Sequence, residues 1–157
     1  NERCFVRLLG DMRSYNFVID ITPDIEDYQY RLRAIDFDQQ SYEGRKNLYL
    51  PQFYKENFEF VDLVLKTLSP DVIEQYQTEE QTAMANRVFA GRKQLMELLN
   101  IMSKDELSEN YKIKMLREEL NEHFKTTYFS KCNTMGAIVK RQLKFVLQKH
   151  LRQLRSI

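Results

Sequence analysis

The sequence predicts an α+β fold that is mostly α: a small β-hairpin sheet in the N-terminal part, followed by four to five packed helices. Three observations carry this. Short β-branched and aromatic runs separated by turn residues occupy positions 1–53. From there on, apolar residues recur at steps of three and four. A run of strands followed by a run of helices indicates α+β architecture rather than a wound parallel sheet. The 157 residues fit one domain, β-rich over 1–53 and helical over 54–157.

Taken in order, residues 4–9, 16–21 and 30–35 read as strands. The stretch TPDIEDYQ over 22–29, acidic and proline-containing, reads as the connection of a hairpin between the second and third. Residues 39–51, with Gly44 and Pro51, read as an irregular loop. Phe58, Val61, Leu65 and Leu68 then share one helix face. Ser69, Pro70 and Asp71 supply an N-cap, a first-position proline and a first-turn acid. Thr78 with Gln81 forms a capping-box pattern, which predicts the start of a long helix. That helix carries the stripe Met84, Val88, Leu95, Leu99 and Met102. Ser103 with Glu106 predicts another start, ahead of Ile113, Leu116, Leu120 and Phe124. A last helix from about Thr134 aligns Val139, Leu143, Leu147, Leu151 and Leu154. Such methionine and aromatic stripes are core rather than a cofactor box.

Composition narrows the class. Hydrophobic residues make up 43% and charged residues 30%, a globular balance that excludes disorder. A net charge of +1 gives no overall field toward nucleic acid or membrane. No acid follows Glu122, whereas Lys125, Lys131, Lys140, Arg141, Lys144, Lys149, Arg152 and Arg155 do; this reads as the solvated face of the final helix. Nucleic-acid binding through it is the weakest reading, because it has no interleaved aromatics and no known motif. Cys4 and Cys132 lie far apart; they could pair, but a reducing, cytoplasmic compartment suits them better. Neither His123 nor His150 has a partner at zinc-type spacing. No apolar run reaches membrane-spanning length, and no signal peptide opens the chain. The opening NERCFVRLL reads as the inside of a strand, so the expectation is a piece of a longer protein.

The candidate chemistry lies in GDMRSYNF and AIDFD. Asp11 and Asn16 stand five positions apart before a strand, and Asp36 and Asp38 follow the next one. Here the chain resembles the C-terminal lobe of the protein-kinase-like fold, in its aminoglycoside and choline phosphotransferase branch. In that fold a catalytic loop carries an Asp and, five residues on, an Asn; a hairpin then leads to a second Asp, often in an Ile-Asp-Phe run. The resemblance implies that Asp11 orients the acceptor hydroxyl and takes its proton, and that Asn16 and Asp36 hold magnesium. Asp38 would help a second metal or bond local backbone, and Arg13 would steady a cofactor phosphate or pair with an acid. Magnesium takes hard oxygen donors and keeps several waters, so a carboxylate and an amide suffice beside phosphates.

The chain departs from the pattern in four ways. Leu9 stands where a His usually precedes the Gly-Asp pair, the hairpin tip is enlarged, and Asp38 replaces a Gly. Its four glycines are scattered, with no G-x-G-x-x-G and no strand lysine to hold nucleotide. The resemblance therefore implies a C-lobe whose N-lobe is absent, inactive alone, with ATP and magnesium belonging to the full-length parent. The partners implied are that N-lobe and a small-molecule acceptor, and a homo-oligomer is compatible. The competing reading is a non-catalytic kinase-like or helical scaffold, in which the same Asp and Asn residues serve only as turn formers.

Overall fold

In the computed structural model, which describes residues 1–155, the elements run α1 (Glu2–Arg7), β1 (Phe17–Pro23), β2 (Tyr28–Ala34), α2 (Phe58–Thr67), α3 (Pro70–Ala90), α4 (Arg92–Met102), α5 (Asn110–His123) and α6 (Met135–Arg155). Short 3-10 turns at Ser14–Asn16, Lys46–Tyr49, Pro51–Phe53 and Lys55–Asn57 occupy the connections. The fold is α+β and mostly α, a two-stranded antiparallel hairpin followed by packed helices.

The central element is α6, on which α1, α3 and α4 pack. Its Ile138, Val139, Leu143 and Leu147 are buried among Phe5, Val6 and Leu8 of the opening segment, Met84 and Ala85 of α3, and Leu99 of α4. Ile113, Leu116 and Leu120 of α5 join the same core, as the helical spacing predicts. Thr134 caps α6, its Oγ1 accepting from the Ala137 amide at 3.1 Å. Gly136 lets the first turn of α6 lie against the end of α4: a Cβ there would sit 2.3 Å from the Met102 carbonyl carbon.

Residues 4–9 are not a strand. Positions 2–7 form α1, which ends with Leu8 in the left-handed region at φ 56°. The Leu8 amide donates to the Phe5 carbonyl at 3.1 Å and the Leu9 amide to Cys4 at 2.9 Å. This is a Schellman closure, built on leucine where glycine is usual. The consecutive apolar residues Cys4, Phe5 and Val6 read as β in sequence, yet all three are buried on this short helix while Arg3 stays exposed and pairs with Glu80. Phe5 and Val6 face the main core, while Cys4 joins Leu9, Met12 and Tyr54 in a second cluster. The buried Gln142 donates to the Phe5 carbonyl at 2.7 Å.

Neither internal capping box starts a helix. Ser69 already does so, its hydroxyl accepting from the Val72 amide at 3.4 Å, and no breaker intervenes before Gly91. Thr78 therefore lies inside α3, and Gln81 spends its side chain on Glu2 at 2.7 Å. The stripe from Met84 to Met102 is split between two helices at Gly91. Ser103 closes α4 by back-bonding to the Leu99 carbonyl at 2.7 Å, and α5 begins only at Asn110. The α2 helix forms where expected, yet Phe58, Phe60, Leu63 and Leu65 on it are exposed and none of its residues is buried.

The hairpin pairs Phe17 with Ala34 at its root and Pro23 with Tyr28 at its tip. Asp24 shapes the turn: its amide donates to the Asp27 carbonyl at 2.7 Å, and its carboxylate accepts from the Ile25 amide and from Gln29. Among the described residues, no helix is long and apolar enough to cross a membrane.

Candidate functional site

Two chain segments meet at the hairpin root. Residues 8–16 lead from α1 into β1, and residues 35–41 lead out of β2. The Ile35 amide donates to the Asn16 carbonyl at 3.0 Å, the Gly10 amide to Gln39 at 3.1 Å, and the Ser41 amide to Leu8 at 2.7 Å. An isolated antiparallel bridge joins Leu9 and Gln40. These bonds hold the Asp36-Phe37-Asp38 turn beside Asp11. Leu8, Asp11 and Ser41 all have positive φ, at 56°, 50° and 53°. Asp tolerates this conformation better than Leu, so the junction stores backbone strain mainly at Leu8.

Within the junction Asn16 is buried and clasps Asp11: its Nδ2 donates to the Asp11 carbonyl and to the Asp11 carboxylate, each at 2.9 Å. The other carboxylate oxygen of Asp11 pairs with Arg13. Arg13 also reaches Glu56 at 3.5 Å and lies 5.1 Å from the Tyr54 ring centre. Of the two roles open to Arg13, pairing with an acid is the one seen. The Asn16 Oδ1 accepts no hydrogen bond among the described residues, so the amide is held by its nitrogen with its oxygen uncommitted.

Asp36 accepts from the Asp38 amide at 3.1 Å, an Asx turn that folds the segment back on itself. The Asp38 carboxyl is pushed above its ordinary range, first by lost hydration, then by the charge and hydrogen bonding of Asp36, and also by the charge of Asp11. Asp38 thus feels the charge of Asp11 although 27 positions separate them. Their field favours a cation. Hard oxygens from Asn16, Asp36 and Asp38 fit magnesium chemically. Among the described residues, however, no three His, Cys, Asp or Glu side chains stand close enough to enclose a metal ion by themselves.

Residues outside the motif hold the junction in place. Asn57 is buried and donates to the Met12 carbonyl at 2.6 Å and to Pro51 at 2.9 Å. Tyr54 donates to the Leu48 carbonyl at 2.6 Å and packs under Leu9 and Met12. Burial first, and the Asp11 charge second, push its hydroxyl above the ordinary tyrosine range. The Gln40 amide caps the end of α1, donating to Arg7 at 2.6 Å and to Leu8 at 3.2 Å. None of these three was marked by sequence, because a lone Asn, Tyr or Gln in a loop carries no spacing signal. Leu9 is buried in the second cluster, and its side chain offers only packing.

Elsewhere, Cys4 and Cys132 are buried and unpaired. Lys125, Lys131, Lys140, Lys144, Lys149 and Arg152 are exposed, while Arg141 folds inward to donate to the Tyr128 carbonyl at 2.7 Å. The side chain of Arg155 lies outside what the structure describes. Comparison with protein-family models, with curated proteins and with solved structures returned no match.

Proposed function

We propose that this chain is the C-lobe of an ATP- and magnesium-dependent small-molecule phosphotransferase of kinase-like fold, inactive by itself. One observation supports this above the rest: Asp11, Asn16, Asp36 and Asp38 meet in one loop cluster, with Asp11 and Asp36 close enough to raise the Asp38 carboxyl. Phosphoryl transfer asks a protein mainly to position groups and neutralise charge. Bound magnesium would supply that neutralisation on the nucleotide phosphates. The amide oxygen of Asn16 and the carboxylate of Asp36 would hold it, with Asp38 beside them. Asp11, steadied by Arg13 and Asn16, would orient an acceptor hydroxyl and take its proton. The chain's four glycines form no phosphate-cradling loop, so nucleotide would have to be held by a lobe outside these residues. Two buried, unpaired thiols support a reducing, cytoplasmic setting.

The test is magnesium-dependent nucleotide binding by the parent carrying both lobes, followed by calorimetry. Asp36→Ala should remove the magnesium-dependent part of binding, and Asp11→Asn should keep binding while losing turnover. If Asp36→Ala leaves both unchanged, the metal assignment is wrong. A second reading, a non-catalytic interaction module, draws support from Asp11, whose two oxygens are already taken by Arg13 and Asn16. An intact parent that binds neither nucleotide nor magnesium would favour it.

A further inference from the structure

The two faces of the hairpin are chemically opposite. Directly paired residues share a face, so Phe17, Ile19, Ile21 and Pro23 lie with Ala34, Leu32, Tyr30 and Tyr28. The other face carries Val18, Asp20, Thr22, Gln29, Arg31 and Arg33, with Arg33 donating to Asp20 at 3.2 Å. A hairpin of this pattern ordinarily lays its apolar face on a core. Here that face is bare: Ile19 is 60% exposed, Ile21 59%, Tyr28 57%, Tyr30 67% and Leu32 62%. Only its root is covered, where Phe17 and Ala34 pack on the Cys4, Leu9, Met12 and Tyr54 cluster.

We propose that this face is the interface of a two-fold homodimer, a second copy of the chain laying its own hairpin across it. At ~200 Å² of accessible surface for each large side chain, five positions about three-fifths exposed present roughly 600 Å². That lies at the upper end of the largest apolar patch on an ordinary monomer. Two such faces packed together remove roughly 1,200 Å², which reaches the size of a stable interface. The face also suits itself. None of its eight residues is charged, so stacking two copies opposes no like charges. The charged residues at the tip, Asp24, Glu26 and Asp27, lie beyond Pro23. With the hairpins antiparallel about a two-fold axis, the two acidic tips point apart. Sheets stack face to face about 10 Å apart, a separation that side chains of this size fill. A two-stranded hairpin is marginal alone, and packing two together gives each a hydrophobic layer. This inference is independent of any catalytic role for the hairpin root.

Sedimentation equilibrium of the 157-residue chain over a concentration series tests it. The wild type should approach twice the chain mass, and Ile19→Asp with Leu32→Asp should hold it at the single mass with helical circular dichroism unchanged. Thr22→Asp, on the polar face, should still give twice the mass. Should the double variant lose its helical signal, Ile21→Lys alone makes the same comparison. A wild type that stays at the single mass throughout would overturn the proposal, as would a double variant that dimerises as strongly. So would a monomer whose face is shielded from hydrogen exchange only when further chain is added at its N-terminus, which would give the face to that segment.

Discussion

Asn57 offers the sharpest test of how the candidate site is held. It is buried, and its single amide group donates to two carbonyls, Met12 at 2.6 Å and Pro51 at 2.9 Å. Asn57→Ala removes both bonds. Each bond contributes ~1 kcal/mol net, and a carbonyl left dry costs ~1–3 kcal/mol more. With the junction relaxing enough to hydrate one of the two, and the other at the low end of that range, the loss comes to about 3 kcal/mol. For a domain of this length that lowers the melting temperature by about 6–12 °C. Urea denaturation would measure the free energy, and hydrogen exchange would locate it. Amides from Met12 to Asn16 should exchange faster relative to those of α6, because Asn57 ties the loop and not the helical core. A loss under ~0.5 kcal/mol, the range of an ordinary surface change, would refute the anchoring argument.

Three other outcomes are expected. Gly136→Ala should destabilise by ~1–3 kcal/mol or more, since its Cβ would meet α4 backbone at 2.3–2.5 Å. Gly91→Ala, with only the Arg87 carbonyl at 3.3 Å, should be far milder; similar melting points for the two would undo the close-approach argument. Leu8→Gly relieves the left-handed leucine, worth ~1–2 kcal/mol, but empties a fully buried position. Loss of a core leucine costs ~2–5 kcal/mol, so the variant should melt lower than wild type. Asp38 has a folded-state pKa above its ordinary value, so the folded state holds its proton more tightly and stability falls as pH rises through that window. Asp38→Asn should therefore be more stable than wild type at neutral pH and equal to it below the ordinary carboxylate range, as read by chemical denaturation at both.

Helix positions were legible wherever an apolar period met one continuous core, as in α5 and α6. Ile113, Leu116, Leu120, Val139, Leu143 and Leu147 are all buried as their spacing implies. Ser69 and Thr134 cap their helices because a hydroxyl at the N-cap position works on amides two or three residues away. The same rule misled at Thr78 and Ser103, since a capping pattern is local and cannot register that a helix is already running through it. The opening segment misled differently. Its six residues span under two helical turns, too few for a helical period to register, and the consecutive buried run Cys4, Phe5 and Val6 looks like a strand core.

The hairpin was readable because strand alternation and a turn signal occur together in one short stretch. From it followed the nearness of Asn16 to Ile35, and so the order in which Asp11, Asn16, Asp36 and Asp38 enter the junction. Local chemistry alone determined that much: which residues bear oxygen and where the chain reverses. Only tertiary structure decided what those residues touch. Arg13 closes on Asp11 rather than standing free, Asp38 feels Asp11 across the junction, and Gln40, Tyr54 and Asn57 arrive from distant positions to hold the loop. Tertiary structure also decided that the apolar faces of α2 and the hairpin stay uncovered. Amphipathic spacing specifies that a face is apolar, but a partner surface covers it, and which surface arrives depends on long-range packing that no window of sequence contains.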